Sequence, residues 1–136
     1  LAKYCKENKI KAIGLCDSNN LCGALEFSEL MAKSKAQPII GTQLNVNYKG
    51  HTGKIPLFAK SLEGYKNLIK LSSKSFLQVS DNEEPHCTIE DLEKNYKGII
   101  LFSGTFDGTY VCGNTYSFPE SAQSWAGFSN EDTSND

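Results

Sequence analysis

Apolar residues recur at helical spacing in some stretches of the chain and alternate or run together in others, and the two kinds of stretch take turns. Leu1, Tyr4 and Cys5 give residues 1–8 a short amphipathic helix that Asn8-Lys9 closes, and Ile10 to Cys16 follows as a strand. From Asn20 or Leu21 to about Lys35 the stripe Leu21, Ala24, Leu25, Leu30 and Met31 predicts a second helix, which Ser18 or Asn19 is chemically suited to cap. Pro38 stops that helix, and residues 39–48 read as a strand that alternates over its second half. Residues 49–53 form a turn, which makes Ile55 to Lys60 a hairpin partner or neighbouring strand; Pro56 argues against a central place for it. Ser61 can cap a helix over 61–77 with Leu62, Tyr65, Leu68, Ile69, Leu71 and Phe76 as apolar surface. Residues 78–86 are a polar, acidic loop. Thr88 with Asp91 resembles a capping box opening a short helix that Gly98 closes, and Ile99 to Ser103 has the composition of a buried strand.

This βα rhythm predicts an α/β fold with parallel strands covered by helices; an open doubly wound sheet and a closed barrel both fit it. The rhythm ends near Gly108. Residues 109–136 are rich in Gly, Ser, Thr and Asn, with scattered aromatics (Tyr110, Tyr116, Phe118, Trp125, Phe128) and an acidic end, so they read as a poorly ordered tail. The expected organisation is a domain over 1–108 followed by that tail.

Length and charge narrow the functional classes. A chain of 136 residues fits one domain with a real core. A net charge of −2 argues against a dedicated nucleic-acid surface, which carries a basic excess. No run approaches the roughly 18 apolar residues of a membrane helix. Five scattered cysteines (Cys5, Cys16, Cys22, Cys87, Cys112), without a CxxC pair, suggest buried or half-buried thiols in a reducing cytoplasm rather than a disulfide framework. The chain opens on Leu1 in what reads as helix interior, so it is expected to begin inside a domain, as a fragment.

Candidate chemistry gathers after the first strand, in Leu15-Cys16-Asp17-Ser18-Asn19-Asn20-Leu21-Cys22-Gly23-Ala24-Leu25-Glu26-Phe27. An acid at the carboxyl end of a buried strand is where α/β folds display reactive groups. The only histidines, His51 and His86, lie in polar loops; neither His51 nor the His86-Cys87 pair has a second ligand pair beside it.

Four blocks together carry a family resemblance. Cys16-Asp17 followed by Asn20-Leu21-Cys22-Gly23-Ala24-Leu25-Glu26-Phe27 resembles a block in which a strand ends in Thr-Asp and continues into Asn-Leu-x-Gly-Ala-x-Glu-Phe. Pro38-Ile39-Ile40-Gly41-Thr42-Gln43-Leu44 resembles Pro-Ile-Ile-Gly-x-Glu/Gln-Leu/Val. Leu57 to Lys60 with Gly64-Tyr65-Lys66-Asn67-Leu68 resembles a third block. Gly98 to Gly104 with Asp107-Gly108 resembles a fourth. Each of these glycines also has a plain turn or packing reading, but their order and spacing are those of the PHP domain (polymerase and histidinol phosphatase) of bacterial DNA polymerase III alpha subunits.

The resemblance implies an incomplete, distorted βα barrel and a part in DNA replication. The parent enzyme would be a DNA-directed DNA polymerase, a nucleotidyltransferase that extends DNA from deoxynucleotides with Mg, and this piece would be a scaffold without chemistry of its own. Active members of the family hold zinc or manganese for phosphoester hydrolysis, which needs several convergent ligands. Here Ser18 stands at a His position, Gln43 at a Glu position and Lys54 where a His is common, leaving Asp17 as a remnant ligand; a shifted register could recruit His51. The resemblance therefore implies no catalytic residue and no cofactor for this piece. Its implied partners are the rest of the alpha chain and the proofreading exonuclease, with DNA reached only through the parent protein and no membrane. Two other readings are a metal-dependent PHP-type phosphoesterase or 3′–5′ exonuclease, and a stand-alone α/β interaction module. After Asp-Gly the chain departs from the family, as a shifted reading frame from Thr109 onward would produce.

Overall fold

A computed structural model of the chain describes residues 1–102. The elements run α1 (Ala2–Glu7), β1 (Ala12–Ser18), α2 (Ala24–Lys33), β2 (Gln37–Tyr48), β3 (His51–Ala59), α3 (Leu62–Leu77), β4 (Cys87–Thr88), α4 (Ile89–Lys94) and β5 (Ile99–Leu101). They build a mixed α/β structure around a five-stranded sheet of order β1-β2-β3-β5, with β4 pairing β2 beyond the end of β1.

The sheet is mixed rather than parallel. β1 and β4 run parallel to β2, whereas β3 is antiparallel to both β2 and β5. The local cause is a tight hairpin: only Lys49 and Gly50 separate β2 from β3, at φ of 51° and 82°. Two successive left-handed residues match the twist of the flanking strands, and glycine takes the second without steric strain. The turn expected over 49–53 is therefore two residues long, and His51 to Gly53 already belong to β3. Pro56 does lie in a central strand; its carbonyl still accepts from Phe102 N at 3.0 Å, so β5 pairs past it.

Strand alternation divides the sheet into two unlike faces. On one face Ile13, Leu15, Ile40, Leu44, Val46, Ile55, Leu57, Ile99 and Leu101 meet the helices. Cys5, Phe27, Met31 and Ala36 close the packing under α1 and α2, while Leu68, Leu71, Cys87, Ile89 and Leu92 close it under α3 and α4. The opposite face carries Gly14, Cys16, Ile39, Gly41, Phe58, Ile100 and Phe102, and no helix among the described residues covers it. There the Phe58 ring lies across Gly41, where a Cβ would fall 2.5 Å from Phe58 Cδ1, and meets Phe102 edge-on at 5.5 Å.

α3 begins as its sequence dictates. The Ser61 hydroxyl accepts from Gly64 N, and α3 docks so closely on the turn before β5 that a Cβ on Gly64 would strike the Gly98 carbonyl. Asn67 Nδ2 donates to Lys97 O at 2.9 Å across the same contact. The capping box of α4 forms in full between Thr88 and Asp91, but the helix ends at Asn95, and Gly98 (φ 72°) serves the turn into β5. Other boundaries shift: β1 ends at Ser18 rather than Cys16, and α2 starts at Ala24. Gly104, the Asp107-Gly108 pair, Cys112 and the tail expected over 109–136 lie outside the described residues. No helix among the described residues is long and apolar enough to cross a membrane.

Candidate functional site

The loop from β1 to α2 is held by polar contacts, and Asp17 is central to them. Asp17 Oδ2 accepts from Gly23 N at 3.0 Å, directly below the first turn of α2, where orphan amides and the helix dipole favour an anion. Gly23 is the N-cap, so neither Ser18 nor Asn19 fills the capping role expected of them. A Cβ at residue 23 would sit 2.9 Å from that carboxylate oxygen and 3.0 Å from a Leu15 methyl, which accounts for the glycine. The Asp17 carbonyl also accepts from Thr42 Oγ1 at 2.9 Å, tying β1 to β2.

The rest of the loop is keyed by Asn19, a residue for which sequence reasoning offered only a cap. Its φ of 58° turns the chain, its N–H donates to Gln43 O at 2.8 Å, and its Oδ1 accepts from Asn45 N at 3.2 Å. Its carbonyl accepts from Ser72 Oγ of α3 at 3.2 Å. One asparagine thus joins β1, β2 and α3. The signal in the sequence was its type: asparagine tolerates the left-handed region better than most residues. Asn20 stays local, with Oδ1 accepting from Cys22 N and Nδ2 donating to Ser18 O. Leu21 reaches the larger core cluster, Phe27 is buried in the smaller one, and Glu26 is exposed on the first turn of α2.

The sheet register decides which candidate ligands can meet. Ser18 pairs with Gln43, Gln43 with Pro56, and Asn45 with Lys54, so residues 18, 43 and 54 all belong to the helix-free face. Asp17, one residue from Ser18, belongs to the helix-covered face and is spent on α2. His51 is three residues from Lys54 and falls on the face opposite it, beside Tyr48 in the hairpin, so a shifted register does not bring it to this group. His86 hydrogen-bonds the Glu84 carbonyl through Nδ1 at 2.9 Å, and its backbone N–H donates to Ser75 O.

The face therefore offers a hydroxyl, a neutral amide and an ammonium where a hydrolytic metal needs carboxylates and imidazoles. That donor set does not fit a zinc or manganese cluster. Among the described residues no group of three or more His, Cys, Asp or Glu could hold a metal ion. Cys16 is exposed on this face; burial first, and then the charge of Asp17, push its thiol above the usual range and keep it protonated. Cys5 and Cys87 are buried and Cys22 is exposed, all as free thiols.

The remaining motif residues are packing residues. Pro38 sits near the start of β2, Gly41 lies under Phe58, Gly64 touches Gly98, Tyr65 is half-buried on α3, and Asn67 bonds Lys97.

Comparison with known proteins gives this arrangement a family. The PHP domain family model matches residues 1–126. The chain is 42% identical over 102 residues to DNA polymerase III subunit alpha of Rickettsia prowazekii, covering 74% of this chain and 9% of that protein. It is 44% identical over 93 residues to the same subunit of Rickettsia bellii, covering 68% and 8%. The Haemophilus influenzae subunit is 34% identical over 111 residues, covering 79% and 10%. The chain thus spans about a tenth of the length of the curated relatives it matches, and on the family match and these identities it belongs to the PHP domain family.

Proposed function

We propose that this chain is part of the amino-terminal PHP domain of a bacterial DNA polymerase III alpha subunit, and that it acts in replication as a non-catalytic scaffold. The observation that carries the reading is the contrast between the two faces of the sheet. On the helix side the family's packing residues are in place and make specific contacts: Gly23 over Asp17, Gly64 against Gly98, Asn67 to Lys97. On the other side the three positions where the family places ligands carry Ser18, Gln43 and Lys54, which share one face and cannot activate a water. Selection for packing without selection for hydrolysis is what a scaffold would experience.

The architecture supports a partial barrel. Helices on one face of the sheet, with an uncovered face holding the ligand positions, would correspond to a segment of a βα barrel whose other strands come from the remaining PHP sequence. In the whole protein the polymerase region would carry out template-directed transfer of deoxynucleotides with Mg held by carboxylates outside this chain. The rest of the alpha chain would be the direct partner, the proofreading exonuclease a second, and DNA would be contacted through the parent protein, in the bacterial cytoplasm.

Two measurements test this. Calorimetric titration with zinc and manganese, paired with an assay on a phosphomonoester and on 3′-mismatched DNA, should give neither stoichiometric binding nor turnover. Tight metal binding with hydrolysis would instead establish a phosphoesterase. Sequencing the coding region on both sides should find a His-x-His strand upstream and a polymerase palm downstream; their absence in every frame would leave only the family membership.

A further inference from the structure

Among the described residues β1 has β2 on one side and no strand on the other. Gln37 N donates to Lys11 O at 2.7 Å and Asn19 N donates to Gln43 O at 2.8 Å, so the odd-numbered residues of this stretch aim their backbone groups at β2. The even-numbered ones turn theirs outward. At both ends the outward groups are engaged: Ile10 N donates to Cys5 O at 2.9 Å, and Ser18 O accepts from Asn20 Nδ2 at 2.8 Å. Between them Ala12, Gly14 and Cys16 are exposed, and their N–H and C=O groups have no hydrogen-bond partner among the described residues. Proline and lysine, the usual guards of a free edge, are absent from residues 12–18.

This open run is complementary to itself. Antiparallel strands exchange two hydrogen bonds at every second residue pair. A two-fold axis through Gly14 sets Gly14 against its own copy and Ala12 against Cys16 of the second copy, about six bonds in all. The residues between them then fall opposite one another, Ile13 against Leu15 and Lys11 against Asp17, at the positions where side chains come closest. Ile13 and Leu15 are half-buried, with apolar surface left to cover. Lys11 is exposed and has no carboxylate partner among the described residues, while Asp17 bonds Gly23 through Oδ2 and leaves Oδ1 without one. Moving the axis to Ile13 would set Lys11 against Leu15, and moving it to Leu15 would set Ile13 against Asp17. Only the axis at Gly14 matches apolar with apolar and cation with anion.

We propose that the free edge of β1 is a docking surface for a second copy of this chain, the two β1 strands pairing antiparallel about Gly14 so that the two sheets run on as one. Main-chain bonds supply the attachment, and the Ile13–Leu15 and Lys11–Asp17 pairs fix the register. In a longer chain whose next strand lay along β1, that strand would compete with the second copy for this edge. The inference does not rest on the polymerase reading, which a monomeric chain would leave untouched.

Sedimentation equilibrium of the 136-residue chain should show a reversible monomer–dimer system, its mass rising with concentration from 15.0 kDa toward twice that value. Ala12→Pro removes an N–H that points only outward, and Lys11→Glu sets like charges opposite one another at two symmetric positions. Each should return the mass to that of the monomer with the far-UV circular dichroism unchanged. Ala12→Cys reads the register independently. A hydrogen-bonded antiparallel pair holds its Cα atoms about 5.5 Å apart, within disulfide range, so oxidised glutathione should give a covalent dimer whose crosslinked peptide joins position 12 to Cys16. A wild-type chain that stays monomeric at every concentration would overturn the proposal. So would a dimer that both other substitutions leave intact, since another surface would then hold it. A crosslink from position 12 to any cysteine except Cys16 would overturn the pairing about Gly14.

Discussion

Asp17, expected from the resemblance to be a remnant ligand, has a role in the fold that is set by local geometry. Its carboxylate accepts the Gly23 amide under α2 and is on the face away from Ser18 and Gln43. Asp17→Ala should therefore cost about 1 kcal/mol of stability, the usual loss when an anion is removed from a helix N-terminus. Asp17→Asn, which keeps an acceptor, should lose less. Urea unfolding of the three proteins checks the order, and an Asp17→Ala variant of unchanged stability that lost bound metal would return the residue to ligand status. The sequence was informative about Asp17's importance and silent about its direction: the apolar pattern ends the strand at Cys16, and only because β1 runs on to Ser18 does the alternation through Ile13 and Leu15 extend to Asp17 and put it on their face. Asn19 was less legible because its work is done through φ and through partners 26 and 53 residues away.

Among the elements, α3 and α4 are joined by an ion pair whose titration should be visible. Lys74 Nζ donates to Asp91 Oδ1, with the Asp91 side chain only 9% exposed. Burial alone would raise the carboxyl's pKa, but the hydrogen bond from Lys74, then the Thr88 amide, the Lys74 charge and the Thr88 hydroxyl together outweigh it and hold the carboxyl below its usual range. A depressed carboxylate stabilises the fold above its unfolded value of about 3.9, and that contribution disappears as pH falls through the lower folded value. Wild type should therefore lose more unfolding free energy between pH 7 and pH 3 than Asp91→Asn does. Equal losses in the two proteins would show that other carboxylates control the acid limb. This link was half legible. The Thr88–Asp91 capping box was readable from spacing, yet Lys74 is 17 residues from Asp91 in sequence, and β4, two residues long, is too short to leave a periodic pattern. The antiparallel setting of β3 followed from a turn shorter than its composition suggested, since Lys49 as well as Gly50 accepts a positive φ.

For the whole molecule, the separation of a packed face from one that carries Ser18, Gln43 and Lys54 implies that metal ligands could be introduced there without rebuilding the fold. Residues 18, 43 and 54 share the helix-free face on three neighbouring strands and carry no core packing, their side chains being half-buried or exposed. The triple variant Ser18→His, Gln43→Glu, Lys54→His would place two imidazoles and a carboxylate there, the donor types of a three-ligand zinc site with an open position. It should gain stoichiometric zinc binding relative to the unsubstituted chain titrated in parallel, and should raise the thermal midpoint only when zinc is present, because a ligand bound to the folded state alone shifts the folding equilibrium toward it. Adding Asp17→Ala to the triple variant should lower stability with and without zinc by the same amount, because Asp17 is on the other face and acts through α2. A triple variant that folds yet binds no zinc would show that adjacency in the register does not bring these side chains to one point. A quadruple variant that loses zinc affinity as well as stability would show that Asp17 reaches the site after all. The experiment thus separates two properties that the family motif runs together: where its residues sit in the sheet, and whether their side chains can still hold an ion.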